Sequence, residues 1–159
     1  MSKVLFKQGQ ISDVDEKLGI VKGYGSVFGN VDSDNDIIEK GAYARTIKNN
    51  GKRVKYLYQH DITKPIGKMR ELEEDSYGLK FIAEIPRTTF GNEVIELMKY
   101  GVIDENSVGI MPVKKDFKED GVRVISEVKL YEISAVTLAS NEEAKILEVK
   151  GESAKIDYY

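Results

Sequence analysis

The sequence predicts a mainly β fold of the α+β class: an antiparallel barrel or sandwich decorated with a few short helices. Three observations carry this. Short β-rich runs with period-two alternation recur along most of the chain, broken by glycines and turn residues. Only two or three segments show helical spacing. Strands and helices also lack the regular alternation that βαβ units of a parallel sheet impose. At 159 residues, the chain suits one domain with a single real core.

The elements follow in order. "KVLFKQGQISDVDEKLGIVKGYGSVFG" predicts strands, with glycines at 19, 23, 25 and 29 marking bulges, bends or close backbone approach. "NVDSDNDII" is a turn-rich loop. "KGAYARTIKNNG" predicts a short helix with Tyr43 and Ile47 on one face, closed by Asn and Gly51. "RVKYLYQH" alternates, placing Val54, Tyr56 and Tyr58 on one side of a strand. "IGKMRELEEDSYGLKFIAEIP" reads as a hairpin turning at Asp75–Gly78, whose return strand aligns Leu79, Phe81, Ala83 and Ile85.

"TFGNEVIELMKYG" is the clearest helix, with Phe90, Val94, Leu97, Met98 and Gly101 at helical spacing. "SVGIMPVKK", a turn at "DFKEDG", and "VRVISEVKLYEISAVTL" follow; the last is long enough for two strands or one bent strand. "SNEEAKIL" opens a short helix with a capping box, Ser140 as N-cap and Glu143 at the third helical position. The domain is expected over residues 1–148, and 149–159 is a polar tail expected to be loose.

Composition removes several function classes. Charged residues make up 32% and hydrophobic ones 41%, which fits a globular chain and not a disordered one. Net charge is −3 with both signs interleaved, so there is no basic stripe for phosphates and nucleic acid is not an expected partner. The absence of cysteine removes disulfides, thiolate nucleophiles and Cys-based metal sites, and fits a reducing compartment. No apolar run approaches the ~18 residues of a membrane span, and "MSKVLFKQGQ" has no signal-peptide core. A cytoplasmic protein with no membrane association is expected.

Three motifs fail on inspection. "DSDND" has the carboxylate spacing of a calcium loop, but Ile37 and Tyr43 stand where that loop needs Gly and Glu, so a solvated turn is the better reading. "GYGSVFG" does not open a helix after a strand, as a nucleotide loop must. One histidine and no cysteine give no zinc spacing. No metal or cofactor is expected.

Three polar residues remain, at strand ends or within apolar strands. His60, the only histidine, ends "YLYQH"; Ser107 opens "SVGIM"; Glu132 lies in "KLYEISAVTL". Strand alternation puts Glu132 on the face of Leu130 and Val136, pointing inward. A carboxylate there costs several kcal/mol unless paired, and the lone imidazole is a natural partner. Each residue also has a plain alternative. Ser107 could be a turn serine, Glu132 could pair with Lys129 or Arg123, and His60 could cap a loop.

Four ordered segments change the balance. "GYGSVFGNVDSDNDIIEKGAY", "LYQHDITKPIGKM", "VIELMKYGVIDENSVGI" and "LYEISAVTLASNEEAKI" together resemble the HK97-type phage prohead proteases over roughly residues 19–148. Ile110 stands where Phe is commoner in that family, and Ala139–Ser140 where Pro–Ala is usual. The resemblance implies an antiparallel β-barrel similar to herpesvirus assemblin. It further implies a serine endopeptidase of capsid maturation, with Ser107 as nucleophile, His60 as general base and Glu132 orienting His60.

The oxyanion loop implied is Ala139–Glu142, with Ser140 and Asn141 as the candidates. The implied substrate is the scaffold or scaffold-like segment of the major capsid protein inside the prohead, in the bacterial host cytoplasm, with self-cleavage also expected and homo-oligomerisation left open by the sequence. A non-catalytic capsid-assembly or scaffold-binding domain is the main alternative, and a β-barrel binding module with no viral role is the second.

Overall fold

The computed structural model describes residues 5–15 and 19–139. Strands β1 (Leu5–Asp15) and β2 (Ile20–Val27) lead into a loop and the short β3 (Asp36–Ile38). Helix α1 (Ala44–Asn50) and a 3-10 turn (Gly51–Arg53) precede β4 (Lys55–Tyr58), then β5 (Asp61–Glu74) and β6 (Gly78–Glu84). Helix α2 (Thr89–Lys99) precedes the two long strands β7 (Glu105–Phe117) and β8 (Arg123–Val136). "RVISEVKLYEISAV" is therefore one strand.

The strands form one sheet in the order β3-β8-β4-β5-β6-β2-β1-β7, and β7 also pairs with β8. The sheet thus curls round until β7 closes on β8, with β3 lying beside β8 outside this ring, which removes most free edges. Most pairings are antiparallel, as expected, but those of β3 and β4 with β8 are parallel. No hairpin joins either strand to β8, so nothing in the connectivity imposes antiparallel order there.

Inside the curl lie Val21, Tyr56, Leu79, Phe81, Ala83, Ile85, Val108, Ile110, Leu130 and Ile133, all fully buried. The predicted inward row of β6 is thus present in full. At the β5–β6 turn, Asp75 N–H donates to the Gly78 carbonyl at 3.0 Å, and Asp75 Oδ1 accepts from the backbone N–H of Tyr77 and Gly78.

Both helices depart in detail from their sequence patterns. Gly51 does not stop α1 in a left-handed cap; at φ −57° it carries the chain into the 3-10 turn. In α2 the buried face is Gly91, Val94, Ile95 and Met98, while Phe90 is exposed. A Cβ at Gly91 would stand 2.1 Å from the Pro86 carbonyl oxygen, so glycine lets this turn sit against the backbone. Gly101 (φ +80°) follows the helix in the left-handed conformation that ends it. The helix expected from Ser140 and the tail beyond 148 lie outside the described residues. No helix among the described residues is long and apolar enough to cross a membrane.

The register of β7 on β8 decides which side chains meet. Ser107 faces Ser134, Val108 faces Ile133, and Gly109 faces Glu132, but Ile110 faces Leu130. Tyr131 is therefore an extra residue, a bulge that re-aims the strand beyond it. Opposed residues share a sheet face. Val108, Ile110, Leu130 and Ile133 thus point into the core, and Ser107, Gly109, Glu132 and Ser134 lie together on the opposite face. This corrects the expectation that Glu132 shares the inward face of Leu130, because simple alternation does not survive a bulge.

Candidate active site

His60 sits in a two-residue turn between β4 and β5, where Tyr58 pairs with Asp61. Gln59 (φ 53°) and His60 (φ 57°) are both left-handed, as a tight hairpin of this kind demands, although neither is glycine. The turn is tied to β8: Gln59 N–H donates to the Ala135 carbonyl at 2.9 Å, and His60 N–H donates to Ser134 Oγ at 3.0 Å.

The imidazole meets the strand at the same place. His60 Nδ1 lies 2.6 Å from Glu132 Oε1, with 18% and 12% of the two side chains exposed. An ionised carboxylate only accepts, so Nδ1 carries the proton and Nε2 is left as the basic nitrogen. Ser134 Oγ donates to Glu132 Oε2 at 2.5 Å. One hydroxyl therefore holds both the carboxylate and the backbone of the histidine. Both Glu132 oxygens are satisfied, as a carboxylate so far removed from water requires.

The plain alternatives for Glu132 fall away. Arg123 is occupied by Asp36 in a bidentate pair at 2.8 and 2.7 Å, and Lys129 lies over the Tyr131 ring at 5.1 Å. The same pair corrects the reading of "DSDND" as a solvated turn. Asp36 is 2% exposed and bound to Arg123, while Asp32 Oδ1 accepts from the N–H of Asp34 and Asp36. The three carboxylates do come within 4.8 Å of one another; that of Asp32 serves the turn and that of Asp36 the ion pair.

Ser107 faces Ser134 across the β7–β8 ladder, two residue pairs from Glu132 and on the same face. Directly opposed Cβ atoms stand about 4.5–5.5 Å apart in such a ladder. Its neighbour Asn106 points to the other side, where it accepts from the Tyr56 hydroxyl at 2.6 Å and donates to the Tyr24 carbonyl at 3.2 Å. Burial pushes the Tyr56 phenol well above its ordinary pKa, so it stays a donor. These bonds anchor β7 at the serine.

Gly109 completes the arrangement. A Cβ there would lie 2.5 Å from Glu132 Oε1, so the carboxylate occupies the space a side chain would need. The sequence reading named His60, Ser107 and Glu132, but gave Gly109 only as a motif letter and did not set Ser134 against Glu132. The two-residue spacing in "EIS" was the available signal, since it puts Ser134 on the side of Glu132. Ser140 and Asn141 lie outside the described residues; Ala139 N–H donates to Glu105 Oε1 at 3.3 Å.

The imidazole is thus held on a carboxylate, on the sheet face that also bears Ser107, and an imidazole held in this way is suited to act as a base toward a hydroxyl. The chain is 34% identical over 140 residues to the prohead protease of Enterobacteria phage HK97, covering 86% of this chain and 62% of that protein. It is 28% identical over 137 residues to the prohead protease of Escherichia phage T5, covering 83% and 64% respectively. The chain thus spans just under two thirds of the length of these curated relatives. Its fold matches the capsid assembly protease of bacteriophage T4 with a TM-score of 0.67 at 14% identity, over 84% of this chain and 97% of that one. A family model described as caudovirus prohead serine protease matches residues 7–157, and the chain belongs to that family.

Proposed function

We propose that this chain is a serine endopeptidase of phage capsid maturation, with Ser107 as nucleophile, His60 as general base and Glu132 as the group that orients and stabilises the imidazole. The observation that carries the reading is the His60 Nδ1–Glu132 Oε1 contact of 2.6 Å on the sheet face that bears Ser107. Oriented this way, Nε2 takes the serine proton as Oγ attacks the scissile carbonyl, and returns it to the leaving amine. Glu132 stabilises the imidazolium in between. The oxyanion is assigned to the N–H groups of the loop through Ser140 and Asn141, with no cofactor.

The substrate in this reading is the scaffold or scaffold-like segment of the major capsid protein, cut inside the prohead in the bacterial host cytoplasm. The chain itself is a second substrate, and self-association is part of the same reading. One observation favours the non-catalytic alternative, a capsid-assembly domain that keeps the protease fold: Ser107 is only 2% exposed, where a nucleophile must be open to its peptide. Co-expression with the phage's major capsid protein, read by intact mass, separates the two. The expected outcome is a shortened capsid protein with the native chain and an uncut one with Ser107→Ala. Cleavage that persists in Ser107→Ala removes the serine from its role.

A further inference from the structure

The His60 turn is hydrogen-bonded to β8, the strand that also carries Glu132, and to Thr137 just beyond it. Besides the backbone bonds to Ala135 and Ser134, the Gln59 side chain is held at both ends by Thr137. Gln59 Nε2 donates to Thr137 Oγ1 at 2.7 Å, and Thr137 N–H donates to Gln59 Oε1 at 3.1 Å. The Thr137 N–H also settles which end of the amide is oxygen. Gln59 thus makes three bonds to residues 135–137 while its own backbone stands at φ 53°.

A two-residue hairpin of this type favours Asn and Gly, and left-handed Gln and His persist in it only when their surroundings over-determine them. The clamp supplies that constraint. Its partners are far apart in sequence (78 residues), so it is a tertiary contact and not a local turn motif.

We infer that Gln59 is a positioning residue for His60, acting through its two-ended clamp on Thr137. The inference rests on His60 being the base of the proposed reaction. It assigns mechanical work to both residues beside the site: Gln59 and Ser134 hold the turn to β8, and Glu132 on that strand receives the imidazole. Without the clamp the turn relaxes, Nδ1 leaves Oε1, and both tautomers become populated. Ground-state peptide binding does not depend on the imidazole, so the loss falls on kcat and not on KM.

The test uses the full chain with Gln59→Ala, Gln59→Gly, Thr137→Ala and the Gln59→Ala/Thr137→Ala double variant. Glycine adopts a left-handed turn without strain, so Gln59→Gly separates the clamp from mere turn stability. Kinetics on a peptide from the capsid scaffold segment are paired with 15N NMR of the imidazole, which is unambiguous with one histidine in the chain. The expected result is a kcat about 10- to 100-fold lower in Gln59→Ala and Gln59→Gly with KM unchanged. Thr137→Ala should also lose kcat, and the double variant should be no worse than Gln59→Ala. The 15N shifts of His60 should move toward a tautomer mixture.

Native kcat in Gln59→Gly with unmoved His60 nitrogens overturns the clamp. If the native chain cuts no peptide, the proteolytic reading fails by itself. The His60 spectrum of Gln59→Gly then still decides the clamp: shifted nitrogens support it, and unmoved ones overturn it.

Discussion

At Gly109 a single methyl group would stand 2.5 Å from Glu132 Oε1, which shows how little freedom the carboxylate has. Its other oxygen is held by Ser134, and the histidine it faces is bound by that same hydroxyl. Replacing Glu132 by Gln keeps the shape but presents an N–H to Nδ1 and favours the tautomer that leaves no base for the serine. Activity on a capsid peptide should fall by about three to four orders of magnitude while the thermal transition persists. A Glu132→Gln protein with native turnover would leave a Ser107–His60 dyad. The His60–Glu132 pair was legible in the sequence, because a carboxylate in an apolar strand needs a partner and the chain has one imidazole. The roles of Gly109 and Ser134 were not, because each depends on what the opposite strand or the turn brings against it.

Among the elements, the β5–β6 hairpin shows a different kind of tether. Tyr24 on β2 donates its hydroxyl to Asp75 Oδ2 at the hairpin turn. Burial, and after it the bond to Asp75, pushes the Tyr24 phenol up to about 12. Burial alone would raise Asp75 as well, but the Tyr24 hydroxyl and the N–H groups of Gly78 and Tyr77 outweigh it and hold the carboxyl below its ordinary range. A raised tyrosine stabilises the fold fully below its unfolded pKa of about 10, and that contribution drains away as pH rises toward the folded value. Asp75 acts in the opposite sense, losing its contribution as pH falls through its lowered value. Urea unfolding should therefore weaken between about pH 10 and 12, and less so in Tyr24→Phe. Equal weakening in both proteins would show that the bond adds nothing.

Elements were most legible where apolar periodicity is long. The inward row of β6 came through unchanged, whereas α2 was turned toward Gly91 and Ile95 because a close contact with the Pro86 carbonyl selects the face. The bulge at Tyr131 left no mark in the sequence, since the extra residue exists only relative to β7.

Over the whole molecule, curling the sheet until β7 meets β8 brings residues from three distant segments to one place. His60 and Glu132, 72 residues apart, touch because β4 runs parallel to β8 and its hairpin turn ends beside Ser134. A mainly β fold with a few short helices was readable from alternation and glycine placement. The parallel pairings were not, because strand direction in a sheet comes from crossovers that alternation does not encode. The central claim is that this closure makes Ser107 a nucleophile activated by His60. Labelling the full chain with a phosphonofluoridate and mapping the adduct by peptide mass spectrometry tests it most directly. The account predicts one adduct, on Ser107, that disappears in His60→Ala. An adduct on Ser134, an unlabelled native chain, or equal labelling of Ser107 in His60→Ala would contradict it.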